Sequence, residues 1–363
     1  MRIGIIGAGQ LGQMLGIAAR ELGHDCYFLD PSARPPAATV GPVVQASFDD
    51  RVALAILAEK CDVLTYEFEN VPVDALTDID RVVPIYPPLD ALRHAQDRLA
   101  EKRLFESLDI PLPKYSAVDS TDDLHQAVES IGLPLVIKTR RMGYDGKGQF
   151  VLQDKERIDA AWHELGARAL IAEQWVDFDC EVSAIGVRNA NGDIATYCLT
   201  QNEHAEGILR TSIAPVDDTA LTQLASEHIR KLLGHLNYVG VLALELFVVG
   251  QQLLANEFAP RVHNSGHWTI EGATTSQFTN HILAITDELP GPVDVRGYAG
   301  MINLIGQIPD AVRHADSGCL HDYGKPPRPG RKLGHISVVA DSAADRDQQM
   351  KNIGESVTRS TTQ

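Results

Sequence analysis

Glu245 lies in the apolar run VLALELFVV and Glu257 in LLANEFAP, with a turn expected at Gly250 to Gln252 between them. Pairing the runs symmetrically about Gln251 sets the two glutamates directly opposite, about 5 Å apart at Cβ, where like charges destabilise a sheet. A cation reverses the sign. Carboxylates flanked by Leu, Ala, Phe and Val are expensive to desolvate unpaired, and a magnesium ion bridging them to phosphate oxygens accounts for both; the alternative is a pair of solvated strand residues. Lys138 ends another apolar strand and opens into KTRRMGYDGKGQ, a loop with Gly143, Gly146 and Gly148 among Arg140, Arg141 and Lys147. Asp145-Gly146 alone would make a common hairpin turn. The length and cations of the loop instead suit a mobile cover that closes on polyphosphate.

GAGQLG at Gly7 to Gly12 follows a short strand, opens a helix and has Asp30 at the end of the next strand. Its glycines permit a tight turn and close approach of a phosphate to a helix N-terminus. The motif specifies a phosphate rather than NAD, so a dinucleotide, another phosphorylated ligand and a structural turn all stay open. Glu67 stands at the carboxyl end of a parallel strand, where open sheets bind ligands, and suits a substrate amine or ribose; Glu69 shares its face and suits a structural role. Lys325, Arg328, Arg331 and Lys332 gather four cations in a strongly acidic chain, a composition suited to a dianion or to a solvated basic loop. Glu173-Gln174-Trp175-Val176, with Glu181 beyond it, reads on its own as ordinary strand and turn.

These residues need a scaffold of several parts. Residues 2–6, a helix to about Leu22 and the strand Cys26 to Leu29 make a βαβ opening, and a helix from Asp50 to Lys60 leads into a further strand at Asp62 to Thr65. Pro84, Pro87 and Pro88 then interrupt regular structure before a charged helix from about Asp97 to Leu108. A small α+β unit runs from Leu135 to Leu165, a larger one carries the helix Thr219 to Leu236 and the hairpin of Glu245 and Glu257, and the last segment holds strands at Met301 to Ile305 and His335 to Val339 before a polar tail. The expected divisions are 1–90, 91–170, 171–290 and 291–363.

The chain of 363 residues is 44% hydrophobic and 22% charged, enough to bury more than one core, and its formal charge of −17 disfavours nucleic acid and membrane surfaces. Five scattered cysteines without a CxxC pair fit a reduced, cytoplasmic protein. No run approaches the roughly 18 apolar residues of a spanning helix.

The order strand-Lys, glycine-rich lid, EQWV linker, then Glu on one strand and Asn-Glu on the next resembles the ATP-grasp superfamily, whose members form an acylphosphate with ATP and pass the acyl group to an amine. GAGQLG, YEFENV, GYDGKGQ, GILRTS, NEFAPRVHNSGHWT, MINLIG and RPGRKLGHI are similar to its branch that carboxylates 5-aminoimidazole ribonucleotide. The resemblance implies an ATP-grasp fold, α/β and α+β in several domains, behind an N-terminal Rossmann-like parallel sheet. It also implies a cytoplasmic homodimer using ATP with magnesium, or manganese in its place.

By the same resemblance, Arg98 and Lys138 meet ATP phosphates, and Gly143, Tyr144, Asp145, Gly146, Lys147, Gly148 and Gln149 form the lid. Glu173, Gln174, Trp175 and Val176 line the adenine, Glu181 the ribose, and His204 and Asn256 the nucleotide site, while Glu245 and Glu257 hold the metal. Arg261, Lys138, Tyr144 and Asp145 are the expected catalytic groups. Gly9, Gln10, Leu11, Glu67, His263, Asn264, Ser265, Lys325, Arg331 and Lys332 are the expected contacts of the ribonucleotide and bicarbonate. Many superfamily members place an Asn two residues after the second Glu, where this chain has Ala259. The implied reaction has bicarbonate attack the γ-phosphate of ATP to give carboxyphosphate, which the amine then captures; a nicotinamide oxidoreductase or another ATP-grasp ligase is the alternative.

Overall fold

The computed structural model describes residues 1–143, 148–313 and 318–359. Among them lie three sheets. The first is parallel, in the spatial order Val43–Gln45, Asp25–Asp30, Arg2–Ile6, Val63–Tyr66, with its strands joined by helices Gln10–Glu21 and Arg51–Lys60. Asp50 starts the second of these helices by accepting from the N–H groups of Val52 and Ala53, both at 3.0 Å. Gly16 faces Phe28 so closely that a Cβ would meet its ring at 2.8 Å, which lets the first helix lie flat on the sheet.

A small antiparallel sheet orders Tyr115–Val118, Leu170–Gln174, Leu135–Thr139 and Gln149–Leu152. The division expected at 170 therefore falls at the first residue of a strand that this sheet requires. The third sheet is nine-stranded and antiparallel. One end is the edge strand Gln252–Ala259, followed by Gly240–Val249 and Cys180–Arg188, and the other end is Tyr298–Ile305, Lys332–Ala340 and Cys319–Asp322, so the strands after 291 extend the sheet begun before 290. Between these halves run Thr200–Ala205 and Ile208–Ala214.

The expected polar tail is helix Ala343–Arg359. Met350, Ile353 and Val357 recur at helical spacing and pack on Ile302, Leu304, Ile336 and Val338 of the large sheet. The N-terminal unit is bonded into the rest by a shared core, in which Ile3, Leu11, Leu15 and Phe28 meet Ile185, Trp268 and Phe278. His281 links the two units through polar contacts. Its Nδ1 accepts from Val241 N–H at 3.1 Å, so Nε2 carries the proton toward Thr65 Oγ1 at 2.9 Å. Burial pushes its pKa down to about 3, which keeps this tautomer neutral.

Candidate active site

A cleft of about 1060 Å³ opens where the three sheets meet. The end that holds Glu245 and Glu257 is set by the hairpin. Val249 pairs with Gln252, so the turn is Gly250-Gln251, half a residue before the expected centre; between Leu246↔Ala255 and Glu245↔Glu257 the register then shifts by one residue. Asn256 is the extra residue of this bulge, and the bulge restores the pairing of Glu245 with Glu257 that a regular ladder from this turn would have lost.

The two carboxylates are not equivalent. Burial and the facing Glu257 raise the pKa of Glu245, whose Oε1 lies 3.1 Å from His263 Nε2. Glu257, only partly buried, is held low against the cost of desolvation by Arg98 first and Lys138 next, and its Oε2 lies 2.7 Å from Arg98 Nη1. Among the described residues no three or more metal-ligating side chains converge. A pair of carboxylates is nonetheless what magnesium uses when substrate phosphates and water complete its octahedron, and the unequal, partly repelling pair has the donor chemistry for it. His263 is kept neutral by burial and by Arg261 and Lys332.

The side of the cleft that holds Arg98 and Lys138 is built by the small sheet and the helix Arg98–Ser107. Lys138 Nζ donates to Glu173 Oε2 at 2.8 Å, and Glu173, 3% exposed, is turned inward. All four expected adenine contacts, Glu173, Gln174, Trp175 and Val176, line the cleft with Val136, Val151 and Phe247, but Glu173 is engaged by Lys138. Glu181 Oε2 meets His204 Nδ1 at 2.7 Å; burial opposes the charged imidazole, but this carboxylate and Glu245 raise its pKa. Gly143 and Gln149 line the cleft, and Gly148 has the left-handed φ of +73°. Tyr144, Asp145, Gly146 and Lys147 lie outside the described residues. Arg140 and Arg141, read as cations of the lid, both reach Asp97, at 2.8 and 3.2 Å. Asp97 also caps the helix through Leu99 N–H at 3.0 Å, so it ties Arg140 and Arg141 to the helix start.

The same cleft is lined by Gln10, Leu11, Glu67, Arg261, His263 and Asn264 together with Lys325, Arg328, Arg331 and Lys332. The basic loop faces the glycine turn, and Lys325 Nζ donates to Gln10 Oε1. Burial and the neighbouring Arg331 push the Lys325 pKa down to about 8. The turn itself differs from the expected phosphate cradle, because Gly9 and Gly12 donate their N–H groups to the Glu67 carboxylate. A Cβ at Gly7 would meet Glu67 Cγ at 2.4 Å, so the glycines make room for this side chain. Burial raises the Glu67 pKa in spite of those two bonds. Asp30, the acid a dinucleotide ribose would need, accepts from Ala8 N–H at 2.9 Å and Ser32 N–H at 2.8 Å and is 7% exposed. Ser265 is fully buried, with its hydroxyl 2.9 Å from His263 Nδ1, so it orients the histidine and does not face the cleft. Arg261 Nε is paired with Glu69 Oε2. The sequence reading also passed over Asn303, which holds Asn264 through two hydrogen bonds of 3.1 and 2.7 Å, and Glu101 and Lys102. Of these, only MINLIG, the block that contains Asn303, offered a signal.

Residues 103–278 match the ATP-grasp domain family, residues 1–96 the ribonucleotide synthetase preATP-grasp domain, and residues 299–349 the phosphoribosylaminoimidazole carboxylase C-terminal domain. With the paired carboxylates and the strand lysine in one cleft, these matches define an ATP-grasp protein. The chain is 44% identical to the N5-carboxyaminoimidazole ribonucleotide synthase of Pseudomonas aeruginosa, over 98% of each chain, and 38% identical to that of Bacillus subtilis, over 96% of this chain and 94% of the relative. Among solved structures, the Thermus thermophilus synthetase superposes with a TM-score of 0.94 at 45% identity over 98% of each chain. The Aspergillus clavatus enzyme, in complex with ADP and 5-aminoimidazole ribonucleotide, gives 0.91 at 30% identity over 99% of this chain and 98% of that one. The chain belongs to the N5-carboxyaminoimidazole ribonucleotide synthase family.

Proposed function

We propose that the protein is an ATP-dependent ligase that carboxylates 5-aminoimidazole ribonucleotide with bicarbonate, releasing ADP and phosphate, in purine biosynthesis. The observation that carries this reading is the composition of one cleft, which is lined both by a first set, Lys138, Arg98, Glu245 and Glu257, and by a second set of cations, Lys325, Arg328, Arg331 and Lys332, together with Arg261 and His263. The first suits ATP; the second suits the 5′-phosphate of the ribonucleotide. An oxidoreductase leaves the first set without work, and Asp30 is already committed to backbone.

Phosphoryl transfer needs positioning and charge neutralisation more than proton transfer. Magnesium held by Glu245 and Glu257 would supply charge neutralisation at the phosphate oxygens. Lys138 and Arg98, now paired with Glu173 and Glu257, stand ready to exchange those partners for phosphate oxygens. Arg261, fixed by Glu69, lines the same cleft and would meet the charge of carboxyphosphate there. Carboxyphosphate hydrolyses readily, so the lid between Lys138 and Gln149 serves by excluding water. Glu67 lies beside the basic loop, placed to receive the ribose or the amine once it leaves Gly9 and Gly12. We further read the protein as a cytoplasmic homodimer, from the family resemblance and five unpaired cysteines. No helix of the described residues is long and apolar enough to cross a membrane.

Incubating the protein with MgATP, the ribonucleotide and carbon-labelled bicarbonate should move label into the carbamate product. Label transfer that depends on a different acceptor, or stimulation by formate or biotin in place of these substrates, would favour another ATP-grasp ligase.

A further inference from the structure

Glu101 and Lys102 are consecutive charged residues beneath the cleft, with exposures of 2% and 0%. Neither has a role in the reading above. Both reach the backbone on either side of Glu257: Phe258 N–H donates to Glu101 Oε1 at 2.7 Å, and Lys102 Nζ donates to the carbonyl of Asn256. Asn256 is the residue that the bulge leaves without a partner opposite. A bulge disrupts the ladder and re-aims the side chains beside it, so the backbone that fixes the aim of Glu257 is gripped on both sides. Apolar residues of similar volume would fill this space at lower cost than two buried ionisable groups. What the polar ends add is a defined position for two backbone atoms.

We propose that Glu101 and Lys102 are positioning residues that hold the bulge at Asn256 and so aim the Glu257 carboxylate at the metal it shares with Glu245 and the nucleotide phosphates. Lys102 Nζ also lies 3.6 Å from Glu173 Oε2, on the strand that leads into the adenine contacts. The same helix sends Arg98 to Glu257. One helix thus registers the metal ligand against the nucleotide. The inference rests on the metal and nucleotide roles given to the cleft under Proposed function.

The test is calorimetric titration of ADP into the full chain, with saturating magnesium and in a chelator; the ratio of the two dissociation constants measures how strongly metal and nucleotide are coupled. Glu101→Leu and Lys102→Met should each weaken that coupling roughly tenfold or more, the usual effect of removing groups that orient a metal ligand. The magnesium needed for half-maximal ADP release should rise by a similar factor. Glu101→Gln keeps an oxygen for Phe258 N–H and should retain most of the coupling. Parental coupling in a folded Glu101→Leu variant, or equal loss in Glu101→Gln and Glu101→Leu, would overturn the inference. If Glu101→Leu does not fold, Lys102→Met decides: weakened coupling supports the inference and parental coupling overturns it. A parent that binds ADP equally with and without magnesium would refute the metal reading itself, and the inference with it; that failure appears in the parent, whereas failure of the inference alone appears only in the variants.

Discussion

Glu245→Gln and Glu257→Gln should abolish the same activity while moving stability in opposite directions. From repulsion alone, removing either charge would relieve the pair. The structure breaks that symmetry, because Glu257 is bound by Arg98 at 2.7 Å whereas the nearest partner of Glu245 is a neutral histidine. Burial and Glu257 push the Glu245 carboxyl up to about 7 from an ordinary 4.5. A carboxyl whose folded pKa is raised supports the fold fully below about 4.5, and that support is lost as the pH rises through about 7. At pH 8 the charged Glu245 therefore costs on the order of 3 kcal/mol, which Gln removes while still accepting from His263. Glu257 has the opposite sign: its charge is favoured by Arg98, but its side chain is 40% exposed, so screening limits the loss in Glu257→Gln to about 1 kcal/mol. In chelator at pH 8, Glu245→Gln should melt about 3–6 °C above the parent and Glu257→Gln slightly below it; at pH 4.5 the advantage of Glu245→Gln should shrink. Both should lose ~100-fold or more in ADP release, since each removes a metal ligand at the transferring phosphoryl group. A Glu257→Gln variant that melts above the parent would refute the role given to Arg98, and parental turnover in either variant would refute the metal assignment.

Lys325 is charged below about pH 8 and loses its proton above it, so KM for the ribonucleotide should rise above that pH in the parent; Lys325→Met should show a KM raised by roughly tenfold or more at pH 7, losing one charged contact to the phosphate, and a flat profile through pH 8. A parental profile in the variant would remove Lys325 from the phosphate site. Asp97→Asn keeps a helix cap but drops the charge that holds Arg140 and Arg141, so KM for ATP should rise several-fold with a loss of about 1 kcal/mol in chemical denaturation; unchanged ATP kinetics would show that the clamp does not steer the lid. Calorimetry with NAD and NADP should show no saturable binding, because Glu67 and Asp30 occupy the backbone donors a dinucleotide would use; a micromolar dissociation constant, about 8 kcal/mol, would reopen the oxidoreductase reading.

The pairing of Glu245 with Glu257 was legible in the sequence through two errors that cancel. The turn is centred half a residue earlier than the symmetric reading assumes, and the extra residue at Asn256 corrects it. Residue pattern marks a hairpin but not a bulge, since Asn256 has no feature that separates a paired residue from an unpaired one. The helix at Arg98 was legible because its charged residues follow a proline-rich break, whereas the short helix Leu89–Ala95 that lies between them was not. Its Glu101 and Lys102 were not: adjacent charges on a helix ordinarily mark a solvated face, and their partners lie 157 and 154 residues away. The glycine turn was recognised as an anion site, but its anion in this structure is the chain's own Glu67, a contact between residues 55 and 58 positions apart. The last helix was misread because its apolar stripe is only three residues wide and has meaning only against the sheet that receives it.

Whether one cleft joins an ATP-phosphate site to a ribonucleotide site is decided by ADP release from the magnesium-loaded protein with 5-aminoimidazole ribonucleotide and bicarbonate supplied together and each omitted in turn. The account predicts slow release with MgATP alone, strong stimulation by the ribonucleotide, and carbamate formation that tracks bicarbonate. ADP release indifferent to the ribonucleotide, or product formed without bicarbonate or dissolved CO2, would contradict it.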